Sequence, residues 1–190
     1  MKKEIISSYI DKVIESCKLI NHDEIINIYD VLIETVNAGG KIYICGNGGS
    51  ASTASHFQTD LNNAFSIVSQ TMPAICLADN LSTITAISND YSYDEVFRHQ
   101  LKYILNERDI LITISGSGNS SNVVKAAEYA KSKKSSVISL VGFDGGKLKG
   151  VSDYCFHVPI NNMQISEDLH LFFCHLISTL IRECKSKQDD

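Results

Sequence analysis

The sequence predicts an α/β protein: a three-layer sandwich whose mostly parallel, five-stranded sheet is covered by helices on both faces. Two observations carry that reading. From residue 42 onward, short apolar runs alternate with stretches of helical periodicity, the strand–turn–helix order of a crossover-connected sheet. Two of those runs lead straight into small-residue turns that open helices: Gly46-Asn47-Gly48-Gly49 and the serine-rich turn at 115–122. Such turns belong at the carboxyl ends of strands, where open α/β sheets gather their ligands.

Taken in order, residues 3–39 read as helix. Ile5, Ile6, Tyr9, Ile10, Val13 and Ile14 recur at helical spacing, and Ile20-Asn21-His22-Asp23 interrupts them. A second helix, carrying Ile25, Ile26, Ile28, Tyr29, Val31, Leu32 and Ile33, ends at Gly39-Gly40. These helices are apolar on more than one side, so they either pack on the body or form a subunit interface. The expectation is one domain over 1–190, with residues 1–40 as a helical oligomerisation arm. A strand over 42–45 and its helix over 50–63 follow. Residues 74–77 form a short run after Pro73, then come a short helix over 81–87, the polar turn Ser88-Asn89-Asp90-Tyr91 and a helix over 93–105. The β-branched run 109–114 is the most strand-like of all and feeds a helix over 123–132. A strand over 136–141, the turn Gly142-Phe143-Asp144-Gly145-Gly146 with a short helix, a strand over 154–158 and a long helix over 163–186 complete the chain. Right-handed crossovers follow from the usual rule.

The bulk properties exclude several classes. At 190 residues, 44% hydrophobic and 21% charged, the chain suits one soluble domain with a real core. A net charge of −5 argues against nucleic acid as the main partner. It leaves phosphate binding open, because backbone N–H groups need no lysine. The six cysteines are scattered with no Cys-x-x-Cys pair, which points to a reducing compartment rather than a disulfide framework or a cysteine zinc site. No apolar run approaches membrane length and the N-terminus has no apolar signal region, so the expected location is the cytoplasm.

The chemistry concentrates in two turns and one helix. Three glycines in Gly46-Asn47-Gly48-Gly49 let the backbone come close to a ligand, and the helix opening near Ser50 points its free N–H groups into the turn. The plain alternative is a glycine-rich turn with a solvated helix behind it. His56 and Asp60, at i and i+4, share one face of that helix with Ser52 and Asn63. The second turn offers the hydroxyls of Ser115, Ser117, Ser120 and Ser121 at another helix N-terminus, a set that can meet several phosphate oxygens at once. Neither a Gly-x-x-x-x-Gly-Lys-Ser/Thr loop nor a third dinucleotide glycine is present, so nucleotide triphosphatase and dinucleotide readings fall away.

GNGGSA at 46–51, His56, Ser88-Asn89-Asp90-Tyr91 and ISGSGNSSN at 114–122 resemble the sugar isomerase (SIS) fold, a flavodoxin-like three-layer architecture. Within it the chain is most similar to the bacterial phosphoheptose isomerases, over nearly its whole length. The resemblance implies an aldose–ketose isomerase converting sedoheptulose 7-phosphate to D-glycero-D-manno-heptose 7-phosphate through an enediol. It implies phosphate on Ser115, Gly116, Ser117 and Ser120. Sugar hydroxyls fall to Asn47, Gly48, Gly49, Ser50 and Glu167, with Asn89 and Asp90 lining the site. It further implies a zinc ion on His56, Asp60, Glu167 and His175, a donor set that would also suit manganese or iron, and a homotetramer with shared sites. By position Asp60 is the base and His175 the acid, with Glu167 a second candidate for the base. Three positions depart from the family pattern. Asp60 stands for Glu, Glu167 for Gln, and Gln164 for an Asp before the last helix. Eight residues apart, Glu167 and His175 lie about 80° apart on one polar helix face, opposite Leu169, Phe172, Phe173, Leu176 and Leu180, with His170 at its border. Two other readings accompany this one: an isomerase or epimerase of another sugar phosphate for surface glycans, and a non-catalytic sugar-phosphate-binding regulator.

Overall fold

The computed structural model describes residues 1–186. Five parallel strands form one sheet: β1 (Ile42–Gly46), β2 (Ala74–Cys76), β3 (Ile110–Ser115), β4 (Ser136–Val141) and β5 (Tyr154–His157), in the order β2-β1-β3-β4-β5. Each strand alternates its side chains between two apolar layers. Ile42 and Ile44 of β1, and Ile110, Ile112 and Ile114 of β3, face one layer; Tyr43, Cys45 and Leu111 face the other. Nearly every residue of β1, β3 and β4 is buried, as a parallel sheet covered on both sides requires.

The first layer is built by α2 (His22–Asn37), α3 (Gly49–Val68) and α8 (Met163–Ser186), which supply Ile28, Leu32, Phe57, Leu61, Phe65, Phe173 and Ile177. The second contains α5 (Val96–Ile104), α6 (Ser121–Ser132) and α7 (Gly146–Val151), with Phe97, Leu101, Val123, Ala127 and Leu148 at its centre. The two N-terminal helices part company. In α2, Ile25, Ile28, Leu32 and Val36 are buried in the core, and Glu24 accepts the N–H of Cys155 on the edge strand β5. In α1 (Lys2–Lys18), Ile5, Ile6, Ile10 and Ile14 stay exposed. So α2 is a core helix, whereas α1 packs on the core through Val13 and Cys17 and leaves an apolar face exposed.

Three boundaries differ from the sequence reading by three residues or more. The third helix runs to Val68 rather than 63, because Ala64 and Phe65 are buried and anchor another turn. The fourth, α4 (Leu81–Asp90), continues through Asn89 and Asp90, so these lie on its last turn and not in a polar loop; buried Ile87 and the Asn80 cap on Thr83 N–H hold it. The helix expected over 93–105 opens as a separate 3₁₀ turn, Tyr93–Glu95, before α5. That turn is tied to α6: Ser121 donates to Asp94 (2.9 Å) and Lys125 to Glu95 (3.1 Å).

Candidate functional site

The sheet order reverses between β1 and β3, which are neighbours although β2 intervenes in the chain. Loops leaving the two strands diverge there and open a crevice. A cleft of about 130 Å³ occupies it, lined by Asn47 and Ser50 from the first turn, Ser115, Gly116, Ser117 and Ser120 from the second, and Met163 and Glu167 from α8. Ser115 and Ser50 are buried, and the Ser115 and Ser120 hydroxyls lie 3.3 Å apart. Ser120 is the N-cap of α6 but makes no side-chain cap bond, so the Ser121 and Asn122 N–H groups stay available to an anion, whereas that of Val123 is engaged by Ser120 O and Asn122 Oδ1. Ser121 is different: its hydroxyl is spent on Asp94 outside the cleft. Two glycines shape this framework. At Gly49 the bare backbone lets the Glu167 carboxylate in: a Cβ would meet both its oxygens at 2.8 Å and push that flexible side chain aside. Gly118 sits at φ +64° with the Gly145 carbonyl against the place a Cβ would take.

Asn47 is held more tightly than its sequence context suggested. Its Nδ2 donates to Asn122 Oδ1 (2.8 Å), Asn122 Nδ2 donates back to Asn47 Oδ1 (2.9 Å), and the Tyr93 hydroxyl donates to the same Oδ1 (2.8 Å). Sequence reasoning assigned no role to Asn122 or Tyr93. The asparagine closed the serine-rich turn in plain view, whereas nothing local marks the tyrosine. Gly48 is the N-cap of α3, the position that turns the chain into the helix beside the cleft. Asn89 and Asp90 do not join the cleft. Both are exposed, and Asn89 donates to Asp90 (2.9 Å).

A second locus lies further along the same two helices. His56, Asp60 and His175 bring one ligand atom each within 4.8 Å of one another. The separations are 3.2 Å between the two Nε2 atoms, 3.3 Å from His56 Nε2 to Asp60 Oδ2, and 3.8 Å from His175 Nε2 to the same oxygen. Ligands about 2.0–2.1 Å from a tetrahedral zinc stand roughly 3.4 Å apart, so the spacing and the donor set fit a divalent cation. Phe57 meets Phe173 edge-on just beneath, at 6.2 Å between centroids, and fixes the two helices in this register.

Glu167, expected as a fourth ligand, is not in that group. Eight residues of helix separate it from His175, about 12 Å of rise, and its carboxylate rests on Gly49 instead. Among the described residues it is the one charged side chain lining the cleft. His170, between the two loci, is fully buried with neither ring nitrogen hydrogen-bonded. Burial pushes its pKa down to about 4, opposed in part by the backbone of Val141. The cysteines in the core are protected as thiols: Cys45, Cys76 and Cys174 are buried, and burial raises the Cys76 thiol to about 12. Among the described residues no helix is long and apolar enough to cross a membrane.

The sequence profile of the SIS domain matches residues 8–142. The chain belongs to the SIS domain family. Among curated relatives of this SIS domain, the phosphoheptose isomerase of Helicobacter pylori (strain P12) is 44% identical over 151 residues, covering 80% of this chain and 79% of that protein. Two solved structures superpose with a TM-score of 0.88. They are the phosphoheptose isomerase GmhA of Neisseria gonorrhoeae (29% identity, 95% of this chain and 98% of that one) and a phosphoheptose isomerase of Francisella tularensis (32% identity, 96% and 99%). The SIS architecture expected from the motifs, a parallel five-stranded sheet flanked by helices, is therefore the observed one.

Proposed function

We propose that this SIS domain is an aldose–ketose isomerase acting on sedoheptulose 7-phosphate, giving D-glycero-D-manno-heptose 7-phosphate. The observation that carries the proposal is the pairing of two loci on one helix pair. α3 and α8 together border an anion-ready serine cleft and carry a His/Asp group suited to a divalent cation. The names of the close relatives point the same way. His56 and His175 at the family's ligand positions, with Asp60 completing the group of three donors, favour a catalyst over a binding module.

In this reading Ser115, Ser117 and Ser120 hydroxyls and the α6 first-turn N–H groups hold the phosphate, which fixes which carbons reach the reactive groups. Ser50, Asn47 and Glu167 meet sugar hydroxyls. Asp60 takes the proton from the carbon beside the carbonyl, His175 gives one to the carbonyl oxygen, and the enediol forms. Return of the carbon-bound proton to the neighbouring carbon, with loss of the other hydroxyl proton, completes the exchange. Glu167 is the second carboxylate within the site and the alternative base. His56 Nε2, His175 Nε2 and Asp60 Oδ2 would hold the cation, zinc by donor type, which leaves Asp60 Oδ1 and the His175 Nδ1–H for the proton transfers; when bound it polarises the adjacent carbonyl and hydroxyl oxygens. The His56 and His175 side chains are 48% and 52% exposed. Asn89, Asp90 and the apolar face of α1 are exposed as well. Those exposures support a homotetramer in which a neighbouring copy closes the site, with α1 at the interface.

The test is metal analysis of the purified protein by mass spectrometry, with a sedoheptulose 7-phosphate turnover assay and equilibrium sedimentation. Bound metal, turnover and a tetramer are expected. Neither metal nor turnover would leave a sugar-phosphate-binding module instead.

A further inference from the structure

The Asn47 amide could face the cleft in two ways, and its surroundings permit one. The backbone N–H of Val123 can only donate, and it is shared between the Ser120 carbonyl (3.1 Å) and Asn122 Oδ1 (3.0 Å). That fixes the Asn122 amide, with its Nδ2 aimed at Asn47 Oδ1. Asn47 Oδ1 must then accept and Asn47 Nδ2 must donate to Asn122 Oδ1. Turning one amide over would oppose donor to donor and acceptor to acceptor. Turning both would set Asn122 Nδ2 against the Val123 N–H. Asn122 is 2% exposed, so no bulk water relieves a mismatch there. The Tyr93 hydroxyl, reaching the same Oδ1 from the segment between α4 and α5, is left only the donor's part. Both lone pairs of Asn47 Oδ1 are thereby filled, and one N–H of Nδ2 is uncommitted on a residue that lines the cleft.

We propose that Asn122 and Tyr93 are positioning residues that hold Asn47 as a donor-only group in a cleft whose charged lining residue, Glu167, only accepts. This rests on the sugar-phosphate reading of the cleft. A sugar hydroxyl presenting its oxygen lone pair is favoured at Asn47 and repelled at Glu167, while one presenting its proton is favoured at Glu167. The cleft so fixes which way the hydroxyls of a phosphorylated polyol point, by repulsion as much as by attraction.

The test is a double-mutant cycle on the full chain with sedoheptulose 7-phosphate, using Tyr93→Phe, Asn47→Ala and their combination. Tyr93→Phe removes one oxygen from an exposed side chain, and a thermal melt checks that the fold is kept. We expect it to lower kcat/KM about tenfold, and the double variant to match Asn47→Ala alone. A merely structural role would lower both backgrounds equally. A double variant tenfold below Asn47→Ala, or a Tyr93→Phe enzyme within twofold of the parent, overturns the proposal. Binding of inorganic phosphate should change less than twofold throughout, since the serine turn is untouched. If the parent protein does not turn over this sugar, the substrate reading fails, and the amide polarity is still read by NMR without ligand. Protection from water exchange of one Asn47 Nδ2 proton, but not the other, supports it. Equally fast exchange of both overturns it.

Discussion

The two ends of the α3–α8 pair are built on different principles. At the end next to the sheet, Gly49 meets Glu167, and the cleft is made of backbone turns, buried serines and helix N-termini. Farther along, His56 and Asp60 meet His175, and the group is made wholly of side chains that are partly open to solvent. The first end gains its shape from the sheet, because each turn is the continuation of a strand locked into register by its neighbours. The second gains its shape only from how two helices pack through Phe57 and Phe173. One end is therefore sensitive to backbone changes, the other to side-chain identity.

Removing a side chain at the open end should have the largest effect. His175→Ala is expected to lower isomerase turnover by about a thousandfold or more and to reduce bound metal, while calorimetry finds sugar-phosphate binding within a few fold of the parent. Persistent turnover would show that the two ends are not parts of one site.

The backbone end is broken by Gly118→Ala. A left-handed non-glycine residue costs about 1–2 kcal/mol and the forced contact with the Gly145 carbonyl about as much again. Calorimetry should find a Tm lower by about 10 °C. An unchanged Tm would mean that the serine turn is softer than its packing implies.

Between the ends lies His170, and it separates core from site. Its unfolded-state pKa is about 6.5, and burial holds the folded value down to about 4. Between those values the unfolded chain binds the extra proton, so stability falls as pH is lowered from 6.5 towards 4. At pH 5 the loss attributable to this residue is about 2 kcal/mol. Denaturant titrations of the parent and His170→Phe proteins at pH 7 and pH 5 check it: the parent should lose that much more than the variant.

The smallest effect sharpens the assignment of the phosphate. Ser120→Ala takes one hydroxyl from the serine turn and should raise KM about tenfold with kcat little changed, the pattern of binding shared by ground and transition states. Metal content should not move. A fall in kcat without a rise in KM would place Ser120 at the reacting end.

The sequence by itself determined the strand order of events: five apolar runs, their helices, and two ligand turns at strand ends. Those features are local, since β-branched runs, glycine clusters and N-terminal serines act through the backbone of their own segment. It also placed His56 and Asp60 on one face, because i, i+4 spacing is a property of a single helix. Tertiary structure alone decided the rest. Whether α1 and α2 formed an arm or a core layer depended on which apolar face found the sheet, and α2 did. Asn89 and Asp90 became the end of a helix because Ile87 is buried, a contact no local pattern reports. The Asn47–Asn122 pairing joins residues 75 apart in the chain, and Tyr93 joins it from 46 residues beyond Asn47. Glu167 rests on Gly49 and not beside His175 because helix rise along α8 exceeds the reach of one side chain. Periodicity gives the direction in which a side chain leaves its helix; only the packing of α8 on α3 decides what it meets.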